Sequence, residues 1–341
     1  MKKPTLCLIF GGKSSEYEVS LASVTSILNA IDAKKYKIIK IGITKDARWL
    51  LYNGGTRNIS NGTWHKKARE NVLIDINGKR LIIGKRRVCP DIVLPVLHGE
   101  NGEDGRLQAL FDIAGIKYAG CDFFSSFVCF DKHLAKLSAK KAGIKVAKWA
   151  LLSGSHDLNE KKAKAFVGRV GFPVFVKPSD AGSSIGVSKV ESYQELKAAL
   201  EKAFKISKRV LIEEAINGTE TEIGVLEVGG KPVFSTPGQI RHGGDFYDYE
   251  EKYKNGKTEY IIPAKISDET KKRLEECAKK LYFELGIVGL SRIDFFVNEN
   301  QEVIFNEVNT MPGFTEISMF SKLFEHDGFS MVEILSNILN I

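Results

Sequence analysis

The chain has 341 residues, 43% of them hydrophobic and 27% charged, with a formal net charge of +8. That is globular usage, too long for one small core, so two or three domains are expected, and no run of about 18 apolar residues is available to span a membrane. The basic residues are dispersed, with only short clusters at 85–87 and 271–272, unlike the concentrated basic face of a nucleic-acid binder.

The opening MKKPTLCLIFGG has a basic start, but its apolar run covers only 5–10 and lacks a cleavage site of small residues. It reads as a first strand and not as a signal peptide. Gly11-Gly12 follows, and then Val19, Val24, Ile27, Leu28 and Ile31 fall at helical spacing. Strand, glycine turn and helix open an α/β layer. Residues 36–44 and 91–99 read as further buried strands, and 107–116 as a short helix. The five cysteines are scattered without a CxxC pair, which points to reduced thiols in a cytosolic protein and away from zinc.

A second unit begins near Cys121. It contains an amphipathic helix at 131–144, a strand at 172–178, a Gly/Ser loop, a short strand at 185–190 and a helix at 192–205. Ser192 and Glu195 have the spacing of a capping box. The next strand is 210–216. In the last unit, 221–228 and 231–240 suggest antiparallel strands, 242–260 a long polar loop, 268–284 a helix and 290–309 a hairpin. The expected domains are 1–121, 122–213 and 214–341.

The hairpin carries the chemistry. In LSRIDFFV, Arg292 and Asp294 share one strand face; in FNEVN, Glu307 and Asn309 do the same, because side chains alternate. Pairing Asn298 with Val303 across the NENQE turn sets Asp294 opposite Glu307 and Arg292 opposite Asn309. Opposed residues have Cβ atoms about 4.5–5.5 Å apart, and two carboxylates there repel by about 3–4 kcal/mol at an effective dielectric of 20. A divalent cation resolves this, since Asp, Glu and Asn are hard oxygen donors that Mg²⁺ accepts beside phosphate oxygens. Arg292 can clamp phosphoryl charge. Taken alone, the same residues also fit two acids facing solvent.

Three further stretches point the same way. KPSDAGSSIGVSKV (177–190) sets Lys177 at a strand end before Gly182, Ser183, Ser184 and Gly186, a loop able to fold over phosphates or to serve as a plain turn. VLIEEAINGTE (210–220) ends a strand in acids, with Glu220 open to ribose hydroxyls or to solvent. LPVLHGENGEDGRL (94–107) puts His98 at the C-terminal edge of a sheet, a usual ligand position that structural histidines also occupy.

Together with GGKSSEYEVSL, FDKHLAK, FYDYEEKY and NEVNTMPGFTEIS, these stretches resemble the ATP-grasp superfamily, and within it the D-alanine–D-alanine ligases, over nearly the whole chain. The resemblance implies a three-domain ATP-grasp fold with an N-terminal Rossmann-like α/β domain. It also implies an ATP-dependent cytoplasmic enzyme, a homodimer acting on small molecules, that joins two D-alanines through an acyl phosphate for peptidoglycan. It assigns Lys132, Lys177 and Ser184 to the nucleotide phosphates, and Glu213, Glu214 and Ile216 to adenine. Glu220 goes to ribose, and Asp294, Glu307 and Asn309 to two magnesium ions, with manganese a substitute.

Arg292 and the Gly313 amide would hold the oxyanion. Glu16 would bind the first D-alanine's ammonium, with His98 on its carboxylate side. Glu16, Ser183 and Tyr253 would form a trio joining the lid, 242–260, to the phosphate loop, while Lys252, Ser318 and Met319 would line the second-substrate pocket. Met319-Phe320-Ser321 departs from the tyrosine-proline pair common after this Ser-Met. YKIIKIGITKDARW and NGTW also resemble vancomycin-resistance D-Ala–D-Ser ligases. Those relatives and the D-lactate enzymes carry arginine where Met319 stands, Tyr247 resembles the D-Ala–D-Ala pattern and Tyr253 speaks against D-lactate, so D-Ala–D-Ala is the reading and D-Ala–D-Ser the alternative.

Overall fold

Three sheets organise the chain, in a computed structural model that describes residues 3–154, 156–241, 259–315 and 317–339. The first has seven strands in the order Arg86–Val88, Arg80–Ile83, Glu70–Asp75, Trp49–Tyr52, Lys37–Ile43, Thr5–Gly11, Ile92–Val96. Thr5–Gly11 runs parallel to both of its neighbours. It is buried along its length, as its unbroken apolar run requires of a central parallel strand. The helix Tyr17–Ala30 covers one face of this sheet. The strands between Trp49 and Val88 extend the sheet in antiparallel fashion; the sequence reading passed over them.

The second sheet is antiparallel, in the order Ser188–Val190, Val174–Pro178, Val210–Glu214, Trp149–Leu152. Helices His156–Val170 and Tyr193–Phe204 pack on it through Phe166, Val167, Leu196 and Leu200. At the start of the second helix Glu195 reaches back to the Glu191 amide and the Ser192 hydroxyl, both at 2.9 Å. The reciprocal half of the expected capping box, from the Ser192 side chain to a helix amide, does not form.

The third sheet runs Glu259–Ile261, Gly238–Arg241, Gly218–Val228, Leu290–Asn298, Val303–Asn309, with Lys231–Phe234 on the side of Gly218–Val228. One face is apolar. Helices Asp268–Glu284, Phe123–Phe130 and Lys132–Lys141 bury Leu274, Leu281, Cys129 and Ala139 against Ile293, Phe295 and Phe305. The other face carries the charged residues toward one end and buries Leu226 and Leu290 under the last helices of the chain at the other. Helices Met319–His326 and Met331–Leu339 return to the first sheet, joining Phe320, Phe324 and Leu335 to the core that holds Leu6 and Leu8. This return anchors Met311 and Phe314 between the first and third sheets.

The hairpin has the pairings that matter: Asp294 opposite Glu307 and Arg292 opposite Asn309. The premise used to reach them needs correction. Val303 pairs with Val297, not Asn298, and a bulge between Asp294 and Phe295 takes up the one-residue offset. A bulge sets two residues on one strand against one on the other, so Phe305 and Glu307 face successive partners and Asn306 is the extra residue.

Candidate active site

Two adjoining cavities open on the polar face of the third sheet, about 260 and 460 Å³ in volume, and they share Lys132, Ser183, Glu222, Arg292 and Glu307. The smaller lies between the second and third sheets and takes in Lys177, Ser184, Glu214, Ile216, Glu220 and Asp294. Lys132 opens its helix directly after Asp131, whose carboxylate caps the His133 and Leu134 amides at 2.9 and 3.0 Å. The same carboxylate accepts from Ser179 Oγ at 2.8 Å, so the helix cap and the Gly/Ser loop are tied together. Lys132 Nζ donates to the Ala181 carbonyl at 2.7 Å and lies 3.2 Å from Glu307.

Beneath the loop lies a buried charge cluster. Glu213 pairs with Lys177 at 2.7 Å and with Lys136 at 2.9 Å, and the Lys136 side chain is 0% exposed. Burial opposes the Glu213 charge, but the two ammonium groups outweigh it and hold its carboxyl below the ordinary range. Lys136 is also pushed down from its usual value, chiefly by burial, which disfavours its charge. The side chain expected to meet adenine is thus occupied by two lysines, and Glu214 is likewise tied to Lys148, to its amide at 2.8 Å and its ammonium at 3.2 Å.

On the open face, carboxylates line up across three strands: Glu222 opposite Asp294, and Asp294 opposite Glu307. Arg292 lies among them. Its Nε and Nη2 donate to the two Asp294 oxygens at 2.8 Å each, and Nε also lies 2.9 Å from Glu222. Burial disfavours the guanidinium charge, yet Asp294 and Glu222 reverse that and hold it firmly protonated. Asn309 Nδ2 donates to Asp294 at 2.9 Å.

Asp294, Glu307 and Asn309 fit a hard divalent ion, because two carboxylates and an amide stand on adjacent strands and line the two cavities. Among the described residues no group of three or more His, Cys, Asp or Glu side chains could hold a metal by itself. A partial shell is what Mg²⁺ uses when phosphate oxygens and water complete its octahedron.

The larger cavity reaches toward the first sheet and includes Glu16, His98, Gly313, Ser318 and Met319. Ser183 Oγ donates to Glu16, joining the phosphate loop to the first sheet. Gly99 and Gly182 flank that carboxylate so closely that a Cβ on either would come within 2.3 or 2.6 Å of Glu16 Oε2. His98 is held by protein on both ring nitrogens: Nδ1 lies 2.9 Å from the Met311 carbonyl and Nε2 3.0 Å from Ser23 Oγ. Burial lowers its basicity, but Glu103 and Glu16 more than offset this, so its pKa is raised. Ser318 Oγ accepts from the Thr315 amide at 3.1 Å, and Met319 is buried with Ile240 and Leu323.

The fold therefore gathers the described residues expected from sequence around two connected cavities. Tyr253 and Lys252, with most of the proposed lid at 242–258, lie outside the described residues. Two site residues escaped the sequence reading, Lys136 and Glu222. Both had a signal: Lys136 is one helical turn after Lys132, and Glu222 follows Glu220 on the same strand face.

Comparison with known proteins places this geometry. The family model described as D-ala D-ala ligase N-terminus matches residues 5–121, and that described as D-ala D-ala ligase C-terminus matches 138–340. A D-alanine–D-alanine ligase of Acetivibrio thermocellus is 41% identical, over 99% of this chain and 96% of its own. One from Clostridium novyi is 38% identical, over 99% and 98%. Among solved structures, the VanG D-Ala:D-Ser ligase from Enterococcus faecalis superposes with a TM-score of 0.90 at 38% identity, covering 99% of both chains. D-alanyl-alanine synthetase A from Vibrio cholerae gives 0.88 at 32%, covering 100% of this chain and 98% of its own. Both halves of the resemblance read from the sequence, to the D-Ala–D-Ala and to the D-Ala–D-Ser enzymes, are borne out.

Proposed function

The chain belongs to the D-alanine–D-alanine ligase family, and from that premise we propose how its two cavities divide the work of an ATP-dependent ligation. The smaller cavity, between units 122–213 and 214–341, receives ATP. Ile216 and the strand end at Glu213–Glu214 flank the base, Glu220 takes the ribose hydroxyls, and Lys132, Lys177 and the loop at Ser183–Ser184 take the phosphates. The larger cavity receives the amino acids, with unit 1–121 contributing Glu16 and His98. The observation that carries this reading is the pairing of Asp294 with Glu307, on a face common to both cavities.

Ligation starts when the first D-alanine carboxylate attacks the terminal phosphorus of ATP, whose bond to the bridging oxygen breaks as ADP leaves. Glu16 fixes the amino acid's ammonium, and Arg292 meets the negative charge that gathers on the reacting oxygens, where oriented donors in a water-poor site are worth most. A magnesium pair held by Asp294, Glu307 and Asn309 would supply charge neutralisation of the triphosphate. The acyl phosphate formed must be kept from water; we assign that duty to the lid, 242–260, with Tyr253 closing onto Glu16 and Ser183. The amine of the second D-alanine, held near Lys252 and Ser318, then attacks the acyl carbon. The Gly313 amide and Arg292 receive the oxyanion, and phosphate leaves. His98 acts by orientation, since both ring nitrogens already meet protein atoms.

The direct test incubates the purified protein with ATP and D-alanine, reading products by mass. Alanyl-alanine, ADP and phosphate are expected, and absence of dipeptide would refute the reading. Adding D-serine or D-lactate tests the alternative, which the likeness to the D-Ala:D-Ser enzyme favours; a mixed product in excess would decide for it. We further assign a homodimer, tested by sedimentation, and a cytoplasmic setting where ATP is available. No helix among the described residues is long and apolar enough to cross a membrane.

Met319 gives a specificity prediction. It lies in a small apolar cluster with Ile240 and Leu323, at the wall of the amino-acid cavity. Met319→Arg brings a charge that must turn toward that cavity, because burying it unpaired is costly. The ratio of alanyl-alanine to mixed products in a competition assay should fall about tenfold, a change of roughly 1.4 kcal/mol in discrimination. An unaltered ratio would remove Met319 from the second-substrate pocket.

A further inference from the structure

Glu222 is an acid with no part in the scheme above. It sits on strand Gly218–Val228, directly opposite Asp294, with only 5% of its side chain exposed. A carboxylate so buried is costly unless an opposite charge offsets it; Arg292 Nε lies 2.9 Å from Glu222 Oε2 as an ion pair without a hydrogen bond, because its one N–H is donated to Asp294. The guanidinium thus lies between two acids: Asp294, which takes Nε and Nη2 in a fork, and Glu222 on the neighbouring strand.

These two partners are not equivalent. Asp294 also accepts from Asn309, and in the proposed reaction it is a metal ligand, so its oxygens are claimed when nucleotide binds. A planar guanidinium whose fork partner turns away would be free to swing. Glu222 lies on the other side of the Arg292 fork from Glu307, one strand further from the proposed ligand set, and it can keep hold of Nε. The Nη groups then stay aimed into the space that both cavities share.

We infer that Glu222 is a positioning residue for the ligation, fixing the Arg292 guanidinium toward the reacting carboxylate while Asp294 is engaged. The inference rests on the assignment of Arg292 to the reacting centre. It concerns orientation alone, so it separates kcat from binding.

Glu222→Gln keeps shape and removes charge. Its kcat should fall about 10–100-fold, the usual cost of losing a supporting partner of a site residue. KM for ATP and for D-alanine should stay within about threefold, as should the calorimetric affinity for magnesium with a non-hydrolysable ATP analogue. Tm should move by no more than about 4 °C, the shift expected for roughly 1 kcal/mol in a chain this long. Glu222→Asp, which keeps the charge, should recover part of kcat. In an Arg292→Lys background, Glu222→Gln should cost less than about twofold, because the partner it positions is gone.

Unchanged kcat in Glu222→Gln, beside a slow Arg292→Lys enzyme, would overturn the inference alone. So would a kcat loss that repeats in full in the Arg292→Lys background, or one matched by lost affinity for magnesium and the analogue. Normal kcat in Arg292→Lys would instead bring down the role given to Arg292, and the inference with it.

Discussion

Glu307→Gln is expected to fold normally and to turn over roughly a thousandfold more slowly. The side chain is 25% exposed and lies 3.2 Å from Lys132 Nζ. Glutamine keeps its shape and one oxygen for that lysine, and a partly exposed ion pair contributes only about 0–1 kcal/mol. Tm should therefore shift by a few degrees at most. The chemistry is less forgiving. Glu307 and Asp294 are the paired anions that hold a divalent ion against the triphosphate in the proposed reaction, a service worth several kcal/mol in the transition state. Losing about 4 kcal/mol of it is a thousandfold in rate. The magnesium concentration giving half-maximal activity at fixed ATP should rise together with that loss. A variant that retains most of its turnover would refute the metal assignment outright.

That prediction depends on a pairing legible before any coordinates, although part of its derivation was wrong. Alternation along LSRIDFFV and FNEVN puts Arg292, Asp294, Glu307 and Asn309 on one face, and the fold agrees. The turn itself was misread by one residue, and the bulge restored the register. Its signature was present in the sequence: Ile304-Phe305 are two apolar residues in succession and Asn306-Glu307 two polar ones, a break in the period of two that the burial of the strand follows. The unbroken apolar run of strand Thr5–Gly11 and the helical apolar spacing of Asp268–Glu284 were legible because burial alone dictates them. The short antiparallel strands between Trp49 and Val88 were not, since beyond Trp49–Tyr52 few of their residues are buried and Arg86–Val88 has only three.

Partners distant in sequence were hidden for another reason. Glu213 reads as an acid at a strand end, open to a ligand, and alternation cannot say which charges the tertiary fold will bring to it. Lys136 belongs to the buried stripe of its helix, beside Ala135 and Ala139. A lysine on that stripe demands a buried anion, but the anion is 77 residues away. Charge compensation inside a core is therefore visible only as a debt in the sequence, and the fold names the creditor.

Removing that anion should be the most destabilising single change at the site. In Glu213→Gln, Lys136 stays fully buried without its counter-charge, and Lys177 loses its 2.7 Å partner. Breaking a buried pair from one side costs about 3–5 kcal/mol, which denaturant unfolding at pH 7 should register. The pH dependence fixes the cause. In the parent protein the Glu213 carboxyl is held low, so its contribution is complete above the ordinary carboxylate range and is lost as pH falls through the lower folded value. The glutamine variant lacks that acid-side loss. Lys136 acts on the alkaline side: burial already lowers its pKa, and without Glu213 it must fall further. The folded variant then sheds this proton at a pH where the unfolded chain still binds it. Its stability should accordingly rise with pH until the ordinary lysine value of about 10.4, narrowing the gap to the parent protein in alkaline solution. A loss below about 1 kcal/mol at pH 7, or a gap that does not change between pH 7 and 10, would show that Glu213 does not balance a charged Lys136.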